Sequence, residues 1–254
     1  MTEIGMSRRD FLRTSGAGAV GVALVGKLGE AGDDASAVKL TGDSKVHITY
    51  LLDNTGSMGF RDTRQAVIEG YADFVEQQQA LDVNAVTMTL MLFNEHEVRT
   101  LYDAVLLEQI HPLVEEDYAP MGNTPLYDSI GQAIDQTEAY WHGRHNRPDK
   151  IIVVVMTDGR DNTSEQYDCD AIKARIEGKQ AEGWSFVFLA ANMSETDLEA
   201  DIGQAITMGD AMGFTDCYTH CVPNDGLTEA YAEASKMVAD LVGSGRVVTM
   251  RNKD

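Results

Sequence analysis

An open, mostly parallel β-sheet covered by helices on both faces is the fold class this sequence predicts, and three observations predict it. Strand-like and helix-like hydrophobic periods alternate along the chain after one early hairpin. The run Ile151-Ile152-Val153-Val154-Val155 is apolar without a break, as in a central strand buried on both sides. Acidic and hydroxyl residues cluster where predicted strands end, at Asp53 and Asp158, and open α/β sheets hold ligands at such ends.

The elements follow in order. His47 to Leu52 is β-branched, aromatic and apolar, and stops at Asp53. From Asp62 to Leu81, Ala66, Val67, Tyr71, Phe74 and Val75 recur at helical spacing. Asn84 to Phe93 alternates at Val86, Met88, Leu90 and Leu92, as a strand does. Glu97 to Tyr102 is shorter and more polar, and reads as an antiparallel edge strand joined through the turn Asn94-Glu95-His96. Leu126 to Trp141 is helical, with Pro125 placed where a missing N–H is harmless. Lys150 to Met156 is the central strand. Cys169 to Glu182 is helical and ends at Gly183. Trp184 to Ala190 is a buried strand. A Gly-interrupted helix runs from Asp197 to Met212, a last strand from Cys217 to Val222, and a last helix from Leu227 to Val242. This divides the chain into a leader (1–37), a linker (38–44), one folded domain (45–242) and a flexible tail (243–254).

The 254 residues suffice for one such domain, and 43% are hydrophobic, enough for a core. The formal net charge is -21, which argues against nucleic acid as a partner. It suits solubility, cation binding or life in high salt. No apolar run is long enough for a transmembrane helix. Three cysteines are too few for a disulfide framework, although Cys217 and Cys221 could pair. With His220 they look superficially like zinc ligands, but lack the second pair a structural site needs.

The leader contains Ser7-Arg8-Arg9-Asp10-Phe11-Leu12, then a small-residue apolar run from Gly16 to Gly26, then Ala35-Ser36-Ala37. It resembles a twin-arginine export signal. The resemblance implies an exported, extracytoplasmic protein that crosses the membrane folded, and is then either released or tethered through an uncleaved leader. The leader holds four basic and five acidic residues, so -20 of the net charge belongs to the rest of the chain.

Three segments carry oxygen donors: Asp53-Asn54-Thr55-Gly56-Ser57-Met58 after the first strand, Met121-Gly122-Asn123-Thr124-Pro125 in the loop before a helix, and Thr157-Asp158-Gly159 after the central strand. Asp53, Thr55, Ser57, Thr124 and Asp158 offer only oxygen. That suits a hard divalent cation: magnesium, with manganese or calcium as the other choices. Hydroxyl ligands add no formal charge. The ion would keep residual positive charge and open positions, which a carboxylate of another protein could fill. Met58 and Phe60 could form an apolar rim beside the ion, as a docking surface.

These residues resemble the metal-ion-dependent adhesion site of von Willebrand factor A domains. The family pattern is Asp-x-Ser-x-Ser, a distant Thr and a distant Asp. Thr55 stands where the family usually has serine. The resemblance spans Lys45 to Val242 and looks closest to small bacterial and archaeal members, through Thr124-Pro125-Leu126-Tyr127-Asp128 and Gly183-Trp184-Ser185-Phe186-Val187-Phe188. It implies a Rossmann-like fold and a cation-dependent protein-binding module rather than an enzyme.

Rival readings remain at this level. Asp53-Asn54-Thr55-Gly56-Ser57 also resembles the nucleophile loop of dehalogenase-like phosphatases, with Asp53 as nucleophile and Asp158 and Asp161 on magnesium. Against it, Thr55 stands where a second aspartate belongs, and no lysine lies between Lys45 and Lys150. An accessory subunit that recruits a catalytic partner through the metal is a third possibility, and a scaffold that has lost metal binding a fourth.

Overall fold

The computed structural model describes residues 45–80, 85–190, 209, 211–214, 216–219, 235–236 and 238–242. Its sheet has six strands: β1 (Val46–Asp53), β2 (Val86–Phe93), β3 (Val98–Leu106), β4 (Lys150–Thr157), β5 (Ser185–Ala190) and β6 (Asp216–Thr219). Among the described residues three long helices pack on it: α1 (Arg61–Gln79), α2 (Leu126–Trp141) and α3 (Cys169–Ala181). The spatial order is β3-β2-β1-β4-β5-β6. All pairs are parallel except β2 with β3.

That order follows from how the chain leaves β1. It first builds outward to β2 and β3, then returns to place β4 on the other flank of β1 and builds outward again. The connections therefore diverge between β1 and β4, which creates a crevice at the carboxyl ends of those strands. Both strands are buried along their whole length, as their apolar sequences require.

Strand alternation divides the core in two. On one face Ile48, Tyr50, Leu52, Ile152, Val154 and Met156 pack against Val67, Tyr71 and Phe74 of α1 and against Val238, Leu241 and Val242 near the C-terminus. On the other, Leu51, Ile151, Val153, Val155, Phe186 and Phe188 pack against Ile130 and Ile134 of α2 and Ile172 and Ile176 of α3. The second face also carries a buried polar thread. His47 Nδ1 meets Thr87 Oγ1 at 2.9 Å, and Thr49 Oγ1 meets Thr137 Oγ1 at 2.7 Å. Burial holds the His47 imidazole down at about 3, so it packs as a neutral ring.

The fold class is the predicted one, and most elements fall where expected. β3 differs: it continues to Leu106 rather than ending at Tyr102. A register shift in the β2–β3 ladder lies between Met88 and Met91, and Ala104 takes a positive φ of 51°. The Ala104 N–H donates to Thr89 Oγ1 at 2.9 Å, which carries the strand past the irregularity. The predicted leader, linker and tail, most of the Asp197–Met212 and Leu227–Val242 helices, the end of the last strand, and the Cys217–Cys221 pairing lie outside the described residues.

Gly131 of α2 marks a close approach to the loop before α3. A Cβ there would stand 2.5 Å from the Tyr167 ring. That ring is held at one end by a Tyr167 N–H bond to Asp128 and at the other by Arg175. Alanine would gain up to about 1 kcal/mol of helix propensity, but overpacking costs about 1–3 kcal/mol. Gly131→Ala is therefore expected to lower stability in urea unfolding. An unchanged or raised midpoint would show that Tyr167 yields freely.

Candidate metal centre

The site is assembled at the β1–β4 crevice. Asp53 ends β1, and its carboxylate folds back on the chain: Thr55 N–H donates to Asp53 Oδ1 at 2.8 Å. That turn starts a short 3₁₀ segment, Gly56–Gly59, which holds Ser57. Thr157 and Asp158 end β4, whose parallel register with β1 sets Leu52 beside Met156 and so aligns the two strand ends. Thr124 arrives from the loop before α2.

The structure brings all five predicted donors into one chain of contacts. Thr55 is hydrogen-bonded to the Asp53 carboxylate through its side chain as well as its backbone. Thr55 Oγ1 lies 3.4 Å from Ser57 Oγ, and Ser57 Oγ donates to Asp158 Oδ1 at 2.6 Å. Thr124 Oγ1 donates to Thr55 Oγ1 at 3.2 Å. Asp53, Thr55 and Thr124 are buried, Asp158 is half-buried, and Ser57 is exposed. The cluster is thus rooted in the protein and open on one side.

Hydrogen bonds from other loops hold Thr124 in place. Gly56 N–H donates to Gly122 O at 2.9 Å, and Met121 N–H to Asn54 O at 2.9 Å. Gly122 has a φ of 73°, which favours glycine. Thr124 and Asn162 lock the two loops reciprocally: Thr124 N–H donates to Asn162 Oδ1 at 2.8 Å, and Asn162 N–H to Thr124 O at 3.0 Å. Further along, the Asp128 carboxylate accepts from the backbone N–H groups of Glu165, Gln166 and Tyr167.

Sequence reasoning missed two supporting residues. Thr157 Oγ1 donates to Asp53 Oδ2 at 2.5 Å, and Tyr118 O–H donates to the Asp53 carbonyl at 2.8 Å. Thr157 could have been suspected from its place beside Asp158. Tyr118 sits in a loop without periodicity and gave no signal. The expected rim needs one correction. Met58 is fully buried and joins the α1-side core, whereas Phe60 is exposed. The 3₁₀ turn sends these neighbours in different directions, and Met121, on the loop bonded to this segment, is also exposed. Asp161, which the phosphatase reading placed on magnesium, accepts from Tyr127 N–H at 3.1 Å and from the Ser164 hydroxyl. Lys150 Nζ donates to Leu241 O at 2.9 Å, at the start of β4 and away from Asp53.

The electrostatics of the cluster suit a cation. Burial, then the neighbouring Asp158 charge, push the Asp53 carboxyl up from 3.8 to about 7, against the hydrogen bonds of Thr157 and Thr55. Burial also raises Asp158, against its bond from Ser57. Among the described residues, no three His, Cys, Asp or Glu side chains gather as a possible metal site. The donors here are two carboxylates and three hydroxyls, so a hard divalent ion fits their chemistry.

Comparison with known proteins shows the fold. The von Willebrand domain of the type V pili tip protein Mfa5 from Porphyromonas gingivalis matches 80% of this chain and 98% of its own, with a TM-score of 0.58 and 11% identity. This is the von Willebrand factor A fold. The pilus adhesin SpaC from Lactobacillus rhamnosus GG, in its open conformation, matches 80% of this chain and 31% of its own (TM-score 0.55, 13% identity). The SpRpn10 VWA domain matches 74% and 95% (TM-score 0.50, 15% identity). No curated protein is similar to this chain in sequence. Residues 5–25 match the family of twin-arginine translocation pathway signal sequences, so this vWA-fold protein carries an address for export. Among the described residues, no helix is long and apolar enough to cross a membrane.

The raised Asp53 carboxyl has a thermodynamic consequence when no divalent ion is bound. A carboxyl that holds its proton more tightly when folded stabilises the fold fully below the unfolded value of 3.8, and that contribution is lost as pH rises through about 7. In chelator, the unfolding free energy of the wild type minus that of Asp53→Asn is expected to fall from pH 4 to pH 8. A difference that stays level or rises would contradict the burial of this charge.

Proposed function

We propose that this chain is an exported, divalent-cation-dependent protein-binding module for adhesion or assembly. Asp53, Thr55, Ser57, Thr124 and Asp158 hold magnesium, with manganese or calcium as substitutes, and a carboxylate of a partner protein completes the coordination. The observation that carries this reading is the contact chain itself. Oxygen donors from three distant segments meet at the switch point of a parallel sheet, with Ser57 open to solvent.

The ion would supply a fixed positive charge that attracts the partner's carboxylate. The protein's own part is to pre-arrange the ligands, which lowers the ordering cost of binding. Thr157 and Tyr118 hold Asp53 from behind, and Asn162 holds Thr124. A pilus tip protein and a pilus adhesin share the fold, which supports a role in attachment. The domain limits that fit this reading are residues 45–242, after a signal at 1–37 and a linker at 38–44, with a tail from 243 to 254.

Asp53→Ala and Asp158→Ala are each expected to remove magnesium binding in calorimetry while circular dichroism keeps the wild-type sheet and helix signal. Unchanged magnesium affinity in both variants would sink the assignment. Thr157→Val, which removes only a supporting hydrogen bond, is expected to weaken magnesium by about 10–100-fold. For the leader, replacing Arg8-Arg9 with Lys-Lys should leave the protein in the cytoplasmic fraction, and continued export would contradict the twin-arginine route.

A further inference from the structure

Phe60 and Met121 are the most exposed large apolar side chains among the described residues, at 69% and 52%. Both stand beside the five-oxygen cluster. Phe60 follows Ser57 by three residues, and Met121 precedes Thr124 by three. Their segments run side by side, joined by the Gly56–Gly122 and Met121–Asn54 backbone bonds. Pro120 Cβ lies only 3.5 Å from where a Cβ on Gly59 would stand. Aromatic and methionine side chains are enriched in protein interfaces, and apolar groups left in water at a site mouth mark docking surfaces.

The loop just before Thr124 also meets an acidic group. Asn123 N–H donates to Glu95 Oε2 at 2.8 Å. Glu95 lines an open pocket of about 400 Å³ with His96, 3.4 Å from Glu95 Oε1, and Glu97. Asp128 and Asp135 are also in its wall, the first engaged by backbone N–H groups and the second paired with Arg175. With a net charge of -21, the chain repels any partner that brings only negative charge. The ion attracts the carboxylate itself, and a positive charge next to that carboxylate offsets the repulsion from the rest of the acidic surface.

The geometry points to one occupant: a segment of a partner protein that carries its carboxylate between a bulky apolar residue and a basic one. The apolar residue packs on Phe60 and Met121. The basic residue enters the cavity beside Glu95 and Glu97. This rests on the metal-site reading above and adds the chemistry of the partner to it.

The test uses the exported protein and labelled, capped peptides of equal length with a central aspartate. Its neighbours are leucine and lysine, in either order, or serine on both sides. In magnesium, fluorescence anisotropy is expected to show the better leucine–lysine peptide binding about tenfold tighter than the serine control, since packing one apolar side chain is worth a factor of that size or more. Phe60→Ser combined with Met121→Ser should erase the leucine advantage. Glu95→Gln combined with Glu97→Gln should erase the lysine advantage. The Phe60/Met121 pair should leave magnesium affinity in calorimetry within about twofold of wild type, because neither side chain bonds a donor or its brace. Peptide binding by the Glu95/Glu97 pair is read at saturating magnesium, because Glu95 braces Asn123 beside Thr124. Equal, chelator-sensitive binding of all the aspartate peptides would overturn this inference and leave the metal site standing. Failure of the wild type to bind magnesium would overturn the metal site itself, and this inference with it.

Discussion

The parallel pairing of β1 with β4 is the constraint on which the rest of the molecule depends. It sets Leu52 beside Met156 and so brings Asp53 and Asp158, 105 positions apart in sequence, to the same edge of the sheet. Two carboxylates side by side, one of them buried, are unfavourable for any fold that does not use them. The strands tolerate this because both are apolar and covered on both faces, and the pairing is held by the core rather than by the site.

Around that pair the loops act as braces. Asp128 gathers three backbone N–H groups of the segment after β4, Asp161 takes the Tyr127 N–H at the start of α2, and Asn162 grips Thr124 on both sides. These groups are polar, partly buried and fully engaged, so they define a single arrangement of loops rather than a family of them. Loops fixed in this manner can present ligands with little further ordering. The same bracing explains why a residue such as Asp161, which in the sequence looks like a metal ligand, is committed elsewhere.

The chain enters the sheet at Val46 and reaches Asp53 at the far end of β1, so the oxygen cluster lies at the opposite end of that strand from Val46. A strand of that length spans about 26 Å at the usual rise per residue.

The sequence by itself determined the fold class and the five oxygen donors. Hydrophobic period and unbroken apolar runs are local properties, and strand ends marked by Asp53 and Asp158 can be read without knowing what they meet. The tertiary structure alone decided what those donors touch and what supports them. The Thr157 hydroxyl finds Asp53 across 104 positions and Tyr118 finds it across 65; Thr157 is hinted at only by its place beside Asp158, and Tyr118 leaves no trace in spacing or composition. It also decided that β3 runs on past an irregularity through a bond from Ala104 to Thr89, and that Met58 turns inward while Phe60 turns out. The reason is the same in each case: periodicity reports which face of an element is apolar, whereas partners across the sheet are chosen only when the chain is packed.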